Sequence, residues 1–345
     1  MKTNVFGKAR FKKTPAAFFI LTACLIFLIA FFLITNLSPD DSKNEVPQGL
    51  FDGGDFQKFE DWAKEAGAEK AYAALKSHFT KNEPQAHEFT HIVGNAAVEQ
   101  LDIDGIKICD NLYNYGCFHG FMQVYLKKHG VASVKNMEEV CRGLGEVHAP
   151  SCLHGIGHGL MMEAYYDLSE ALDNCQILNN SSWTYCFDGV FMERIAGSML
   201  PSDQKLKITE ENLFEPCNTI DVKFKRECWR NQVSAWYSFF KGDTVKVGSH
   251  CAAIANEYWQ ICFESIGLIN VQNLGEDFEK LLAWCQIVNE TAHDYCAIGE
   301  VKELLFEGKN PKIAFDICFS VTLANRKNCY DTYSKMSEQN LQRFR

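Results

Sequence analysis

Met137–His158, MEEVCRGLGEVHAPSCLHGIGH, is the stretch whose reading decides the fold. Its two cysteines, Cys141 and Cys152, have ten residues between them. The same interval recurs at Cys175/Cys186, Cys217/Cys228, Cys251/Cys262, Cys285/Cys296 and Cys318/Cys329, with Cys109/Cys117 a shorter version. The first cysteines of successive pairs lie 32, 34, 42, 34, 34 and 33 residues apart. The 42 is one period plus an eight-residue insertion, placed most simply at Leu200–Lys207. A period near 34 is that of a helix–turn–helix unit, which buries its apolar face only by stacking on its neighbours.

Other positions keep the same beat. Four residues before the first cysteine stand Met137, Ala171, Leu213, Val247, Leu281 and Ala314, and three after it Leu144, Leu178, Ile220, Ile254, Val288 and Val321. Spacings of three and four share one helical face, so these form the buried stripe of each first helix. Three residues after the second cysteine come Gly120, Gly155, Gly189, Asn231, Ser265 and Gly299. Small side chains recurring there predict a second helix that packs closely on its neighbour.

Fifteen cysteines without one C-x-x-C argue against zinc ribbons and thioredoxin-like chemistry. They fit disulfides formed in an oxidising compartment. The simplest scheme joins the two cysteines of each hairpin, with bonds between adjacent repeats as the alternative. Closing a loop of that size stabilises a unit by about 2–3 kcal/mol in the chain-entropy account. Cys24 is left over as an apolar residue. The period and hairpin content resemble the tetratricopeptide and Sel1-like α-solenoids over Glu69–Arg345. The resemblance is one of architecture, because the tetratricopeptide W-x2-L-G-x2-Y signature is not legible, and it carries over no binding residues.

Upstream of the repeats, Pro15–Thr35 (PAAFFILTACLIFLIAFFLIT) is uncharged and long enough to cross a bilayer. Lys2, Lys8, Arg10, Lys12 and Lys13 precede it, and Asp40 and Asp41 follow. This predicts a basic cytoplasmic tail over 1–14, an anchor in lipid over 15–36, a linker over 37–50 and an extracytoplasmic repeat domain over 51–345. That domain would be periplasmic, extracellular or lumenal. The expected fold is therefore all-α: an N-terminal transmembrane helix, then a disulfide-stapled α-solenoid of about eight helical hairpins. Phe51–Thr80 reads as a helical cap on the stack. Of 34 basic residues five lie in the tail, leaving 29 against 44 acidic ones, a balance that excludes nucleic acid as a partner.

The histidines follow the repeat. The second residue after the second cysteine is His119 in one repeat and His154 in the next, and four residues on stand Gln123 and His158. The hairpin without cysteines offers His87 and His91 at the same spacing. Later repeats give Asp188/Met192, Arg230/Ser234 and Glu264/Leu268. Histidines at i and i+4 share a helical face and can approach one ion. With the cysteines committed to disulfides, a transition metal would take nitrogen and oxygen ligands: His87, His91, His119, His154, His158 and the carboxylate of Asp188, with zinc the foremost candidate. A bland alternative is that the imidazoles repeat because the helices repeat, each bonding a carbonyl. Stacked helices 8–10 Å apart would leave His87 and His154 some ~18–20 Å from one another unless the stack curves strongly.

His87-Glu88-Phe89-Thr90-His91 also resembles the zincin H-E-x-x-H pattern. That resemblance implies zinc on His87 and His91, Glu88 activating its water, and peptide hydrolysis. Gly94 continues the longer metzincin pattern, but Ala97 stands where its third histidine belongs. The alternatives from sequence are therefore a metal-holding repeat protein, a zincin-like hydrolase, and a metal-free scaffold that presents its concave face to an extracytoplasmic protein or peptide.

Overall fold

The computed structural model describes residues 46–79, 83–196, 208–288 and 292–343. The expected tail 1–14, the anchor 15–36, most of the linker and the insertion at 200–207 lie outside them. Among the described residues all regular structure is helical. Gly67, at φ 96°, splits the expected cap into α1 (Phe56–Ala66) and α2 (Ala68–His78). There follow α3 (Pro84–Leu101), α4 (Gly116–His129), α5 (Val134–Gly143), α6 (Gly145–Glu163), α7 (Leu168–Cys175) and α8 (Asn180–Ala196). The remainder are α9 (Val222–Phe239), α10 (Thr244–Ala253), α11 (Trp259–Leu274), α12 (Phe278–Val288), α13 (His293–Phe306), α14 (Pro311–Ser320) and α15 (Leu323–Arg343).

Start signals are local. The carboxylates of Asp55, Asp167, Asp221 and Asp243 each accept a backbone N–H in the first turn of α1, α7, α9 and α10. Pro84 and Pro311 open α3 and α14, where a missing N–H costs nothing.

The longer helix of each hairpin joins one row, in which α3, α4, α6, α8, α9, α11 and α13 pack side by side in that order, with α15 last. The shorter partners pack against this row, and α1 and α2 cover its first member. Two hairpins have irregular first arms, a 3-10 helix at Asp102–Ile108 and a run of turns over 208–220. Residues 49–345 belong to one unit. Within it the row curls back, because α15 also touches α6 and the ring of Phe306 meets that of Tyr115 at 5.1 Å.

All seven disulfides are internal to a hairpin, Cys109–Cys117 through Cys318–Cys329, with Cα–Cα distances of 5.3 to 5.8 Å. Their sulfurs are buried between the two rows. Such a set points to an oxidising compartment.

One expectation is corrected. No helix among the described residues is long and apolar enough to cross a membrane. The helices with the length to do so, α3, α6, α9 and α15 at 18 to 21 residues, carry histidine, glutamate, lysine or arginine along their lengths. The fold described is thus an all-α, disulfide-bonded domain without the transmembrane helix. The expected single-pass membrane location, with its lipid contact through 15–36, is corrected on that ground.

Glycines set the spacing of the row. A Cβ added at Gly94 would lie 2.2 Å from the Cys117 carbonyl oxygen, and one at Gly120 2.1 Å from that of His91. Gly157 and Gly189 oppose the carbonyls of Cys186 and His154 in the same way, each at 2.0 Å. At α3/α4 and α6/α8 the backbones therefore touch. Helices that would stand 8–10 Å apart with ordinary side chains stand closer here, and their polar residues meet.

Candidate metal centre

His87 and His91 project from α3, His119 from α4, and His154 and His158 from α6, and all five rings meet on the inner side of the row. Ring centroids of His119 lie 5.4 Å from His87, 5.5 Å from His91, 5.5 Å from His154 and 4.1 Å from His158. The glycine crossings and the curl of the row bring together what a straight stack would separate. Two groups of three histidines can hold a metal ion: His87/His91/His119, and His119/His154/His158. In each the ligand nitrogens lie within 4.8 Å of one another. A tetrahedral ion with metal–nitrogen bonds of about 2.0–2.1 Å sets its nitrogens ~3.3 Å apart, so modest side-chain movement closes either group.

The inner pair is the more informative. His154 Nδ1 faces Asp188 Oδ2 at 3.1 Å and His158 Nδ1 faces Glu193 Oε2 at 2.8 Å. A neutral imidazole carries one proton, and a carboxylate can only accept, so each Nδ1 holds that proton. The two Nε2 atoms then turn lone pairs on each other at 3.0 Å. Such a contact needs a positive charge between its members. Burial and the neighbouring His154 pull the basicity of His158 down, against the Glu193 bond, so a proton is held weakly there.

The outer pair differs. His87 Nδ1 donates to the Tyr113 carbonyl at 2.8 Å, and its Nε2 stands 3.0 Å from His91 Nε2. No carboxylate fixes the His91 tautomer, so His91 can donate across that gap and satisfy the pair as neutral rings. Burial holds the basicity of His91 and His119 well below ordinary. His119 Nε2 is buried and makes no hydrogen bond among the described residues.

Behind the imidazoles lies a supporting network. Asp188, expected as a ligand, instead stands on the far ring nitrogen of His154. Burial works against its charge, but the Arg230 guanidinium and bonds from His154 and Asn231 hold its carboxyl well below the usual carboxylate range. Tyr166 donates to Glu193 Oε1 at 3.0 Å. This arrangement, with Nδ1 tied to a carboxylate or carbonyl and Nε2 presented inward, is how metal-binding histidines are oriented. Two strained turns deliver parts of it. Tyr113, Asn114 and Tyr115 all have φ between 51° and 62°, and Tyr165 and Tyr166 have φ of 49° and 64°. Left-handed backbone costs non-glycine residues about 1–2 kcal/mol each. One turn aims the Tyr113 carbonyl at His87 and lays the Tyr115 ring against His119 and His154; the other carries Tyr166 to Glu193.

Glu88 is half-buried, belongs to neither histidine group, and stands ~100° round the helix from His87. Among the described residues no strand is present to align a peptide as zincins do. A third geometric group, Cys285/Cys296/Glu300, has its sulfurs in a disulfide and offers no thiolate. Glu193 and the Tyr113 carbonyl were missed by the sequence reasoning. Glu193 falls five residues after Asp188, off the four-residue spacing, and a backbone carbonyl has no sequence signal.

No family model matches the chain, and no curated protein or solved structure does either.

Proposed function

We propose that this protein holds a divalent transition-metal ion, zinc by preference, in the histidine cluster of its first three long helices. The carrying observation is the inner pair, whose Nε2 atoms face each other at 3.0 Å while both Nδ1 atoms stand on carboxylates. With every cysteine of the hairpins in a disulfide, the donors are neutral nitrogens, a set that suits zinc and also copper, iron and nickel. Holding the ion ranks ahead of turning over a substrate. Four of the five histidines are at most 6% exposed, and none of the five lines the open surface depressions at Tyr72–Lys107 or Phe214–Tyr258. The later hairpins act as a scaffold that closes on the site through Phe306 and Tyr115.

Elemental analysis tests this. Wild type, refolded with disulfides intact and exposed to zinc, should retain about one ion per chain through gel filtration. The double variant His154→Ala/His158→Ala should retain none. Wild type that binds no ion of any of the four metals would end the reading. Peptide hydrolysis by the metal-loaded protein that is lost in Glu88→Gln while the metal is retained would favour the zincin assignment instead.

A further inference from the structure

His119 belongs to both histidine groups, and its one inward nitrogen can serve one ion at a time. The two groups are unequal. The outer one contains His87, the only half-buried member, and is backed by the neutral Tyr113 carbonyl and Gln123. The inner one is more deeply enclosed, with His119, His154 and His158 at 3–6% exposure, and has Asp188 and Glu193 behind its rings. A dication is better stabilised by two carboxylates than by neutral dipoles, so the gradient runs inward. Ring orientation separates the groups in a second way, with the outer one set for capture and the inner one needing His119 to turn. The outer rings and His119 are mutually inclined by 70–72°, as three ligands of one ion can be, whereas His119 lies nearly parallel to His158 at 26°. Tyr115, touching both His119 and His154, covers the passage between the groups.

We propose that the outer triad His87/His91/His119 captures a single divalent transition-metal ion and that His119, as the shared ligand, hands it to the inner triad His119/His154/His158. The ion exchanges His87 and His91 for His154 and His158 without ever being released to water. Metal–nitrogen bonds exchange, and the proton shared by the facing Nε2 atoms of His154 and His158 is lost to water as the ion takes its place. This inference rests on the metal-holding reading and adds a route and a stoichiometry to it.

The test follows Co2+ binding to the whole protein by stopped-flow visible absorbance. Wild type should bind one Co2+ per chain in two phases, fast capture and then a rearrangement independent of Co2+ concentration. His87→Gln, a change at the half-buried position that spares the fold, should slow capture roughly tenfold while final affinity stays within ~3-fold. His154→Ala/His158→Ala should keep the fast phase, lose the second, and bind roughly 100-fold more weakly or worse. Circular dichroism confirms that each variant is folded. Two Co2+ ions bound tightly together, or a capture rate untouched by His87→Gln, would overturn the transfer while leaving metal binding intact. Wild type that binds no Co2+ or other transition metal would remove the reading beneath it.

Discussion

The first and last thirds of the long-helix row use the same hairpin for opposite purposes. At one register position α4 and α6 carry His119 and His154, while α9 and α11 carry Arg230 and Glu264. The later helices supply their own countercharges: Lys302 reaches Glu264 at 2.7 Å, Arg226 reaches Glu227 at 2.9 Å, and Arg230 leans on Asp188. The earlier helices set ring nitrogen against ring nitrogen at 3.0 Å, with Asp188 and Glu193 behind the inner pair. The difference lies in which side chains occupy a conserved geometry, because both regions are cross-linked and buried alike.

The largest effect expected from this contrast is regional stabilisation by metal. A ligand present at a thousand times its Kd stabilises the native state by about 4 kcal/mol. In a repeat protein that gain is felt first by the units that bind. Hydrogen exchange with and without zinc should show slowing in α3, α4 and α6 and little change in α11 and α13. Equal slowing throughout would mean that the Tyr115–Phe306 contact makes the unit fully cooperative and the two regions energetically one. Slowing confined to the later helices would refute the assignment of the site.

A smaller effect separates two interfaces of the row by packing; the later α11/α13 interface has a glycine crossing of its own, with Gly267 and Gly299 each opposing a carbonyl at 2.0 Å. At α6/α8 an added methyl on Gly157 meets a carbonyl at 2.0 Å, whereas at α9/α11 the position of the second small residue is Ser265, whose hydroxyl donates to Ile261 at 2.8 Å. Gly157→Ala should cost about 2–3 kcal/mol, because two backbones must part. Ser265→Ala should cost about 1 kcal/mol or less, the net worth of one hydrogen bond. Denaturant titration of both variants decides it. Only Gly157→Ala should also weaken metal binding, since His154 sits three residues before it.

Much of this was legible before the structure. The paired cysteines marked the hairpins and made bonds within each one the simplest scheme over bonds between repeats, and the His87/His91, His119 and His154/His158 register marked the candidate ligands, since both obey a period that a stacked helix must keep. Distance was not legible. Ordinary helix spacing set His87 and His154 two repeats apart, and the close contacts at Gly94 and Gly120 between α3 and α4, and at Gly155 and Gly159 between α4 and α6, help draw them around His119. Nor was the role of Asp188, because a carboxylate in register with histidines reads as a ligand, and only geometry shows it on the far nitrogen. The irregular arms at 102–108 and 208–220 escaped as well, because the cysteine spacing there is satisfied without a helix. The apolar run at 15–36 carried an expectation about location that the described fold does not contain.

The mildest contrast is in pH dependence, with opposite signs at the two ends. In the last third Glu300 is fully buried and its carboxyl is driven well above its ordinary value by burial, against a bond from Asn270. Glu303 is pushed up to about 8 by burial and by the charge of Glu307, with Gln272 opposing. A folded state that binds a proton more tightly than the unfolded chain, where the value is 4.5, is favoured below that value and loses the advantage as pH climbs through about 8. One such proton is worth about 1.4 kcal/mol per pH unit within the window, so metal-free protein should lose about 2 kcal/mol between pH 6 and 8. Glu303→Gln should remove its own share of that slope and leave the share of Glu300, read as Tm against pH. The histidine site runs the other way: its ligands bind metal only when deprotonated, so acid empties it. Zinc retention should fall below pH 6 and be indifferent to Glu303→Gln. A wild-type slope that is flat from pH 6 to 8 would show Glu303 ionised in the fold at no cost, and the two regions would then differ in ligand chemistry alone.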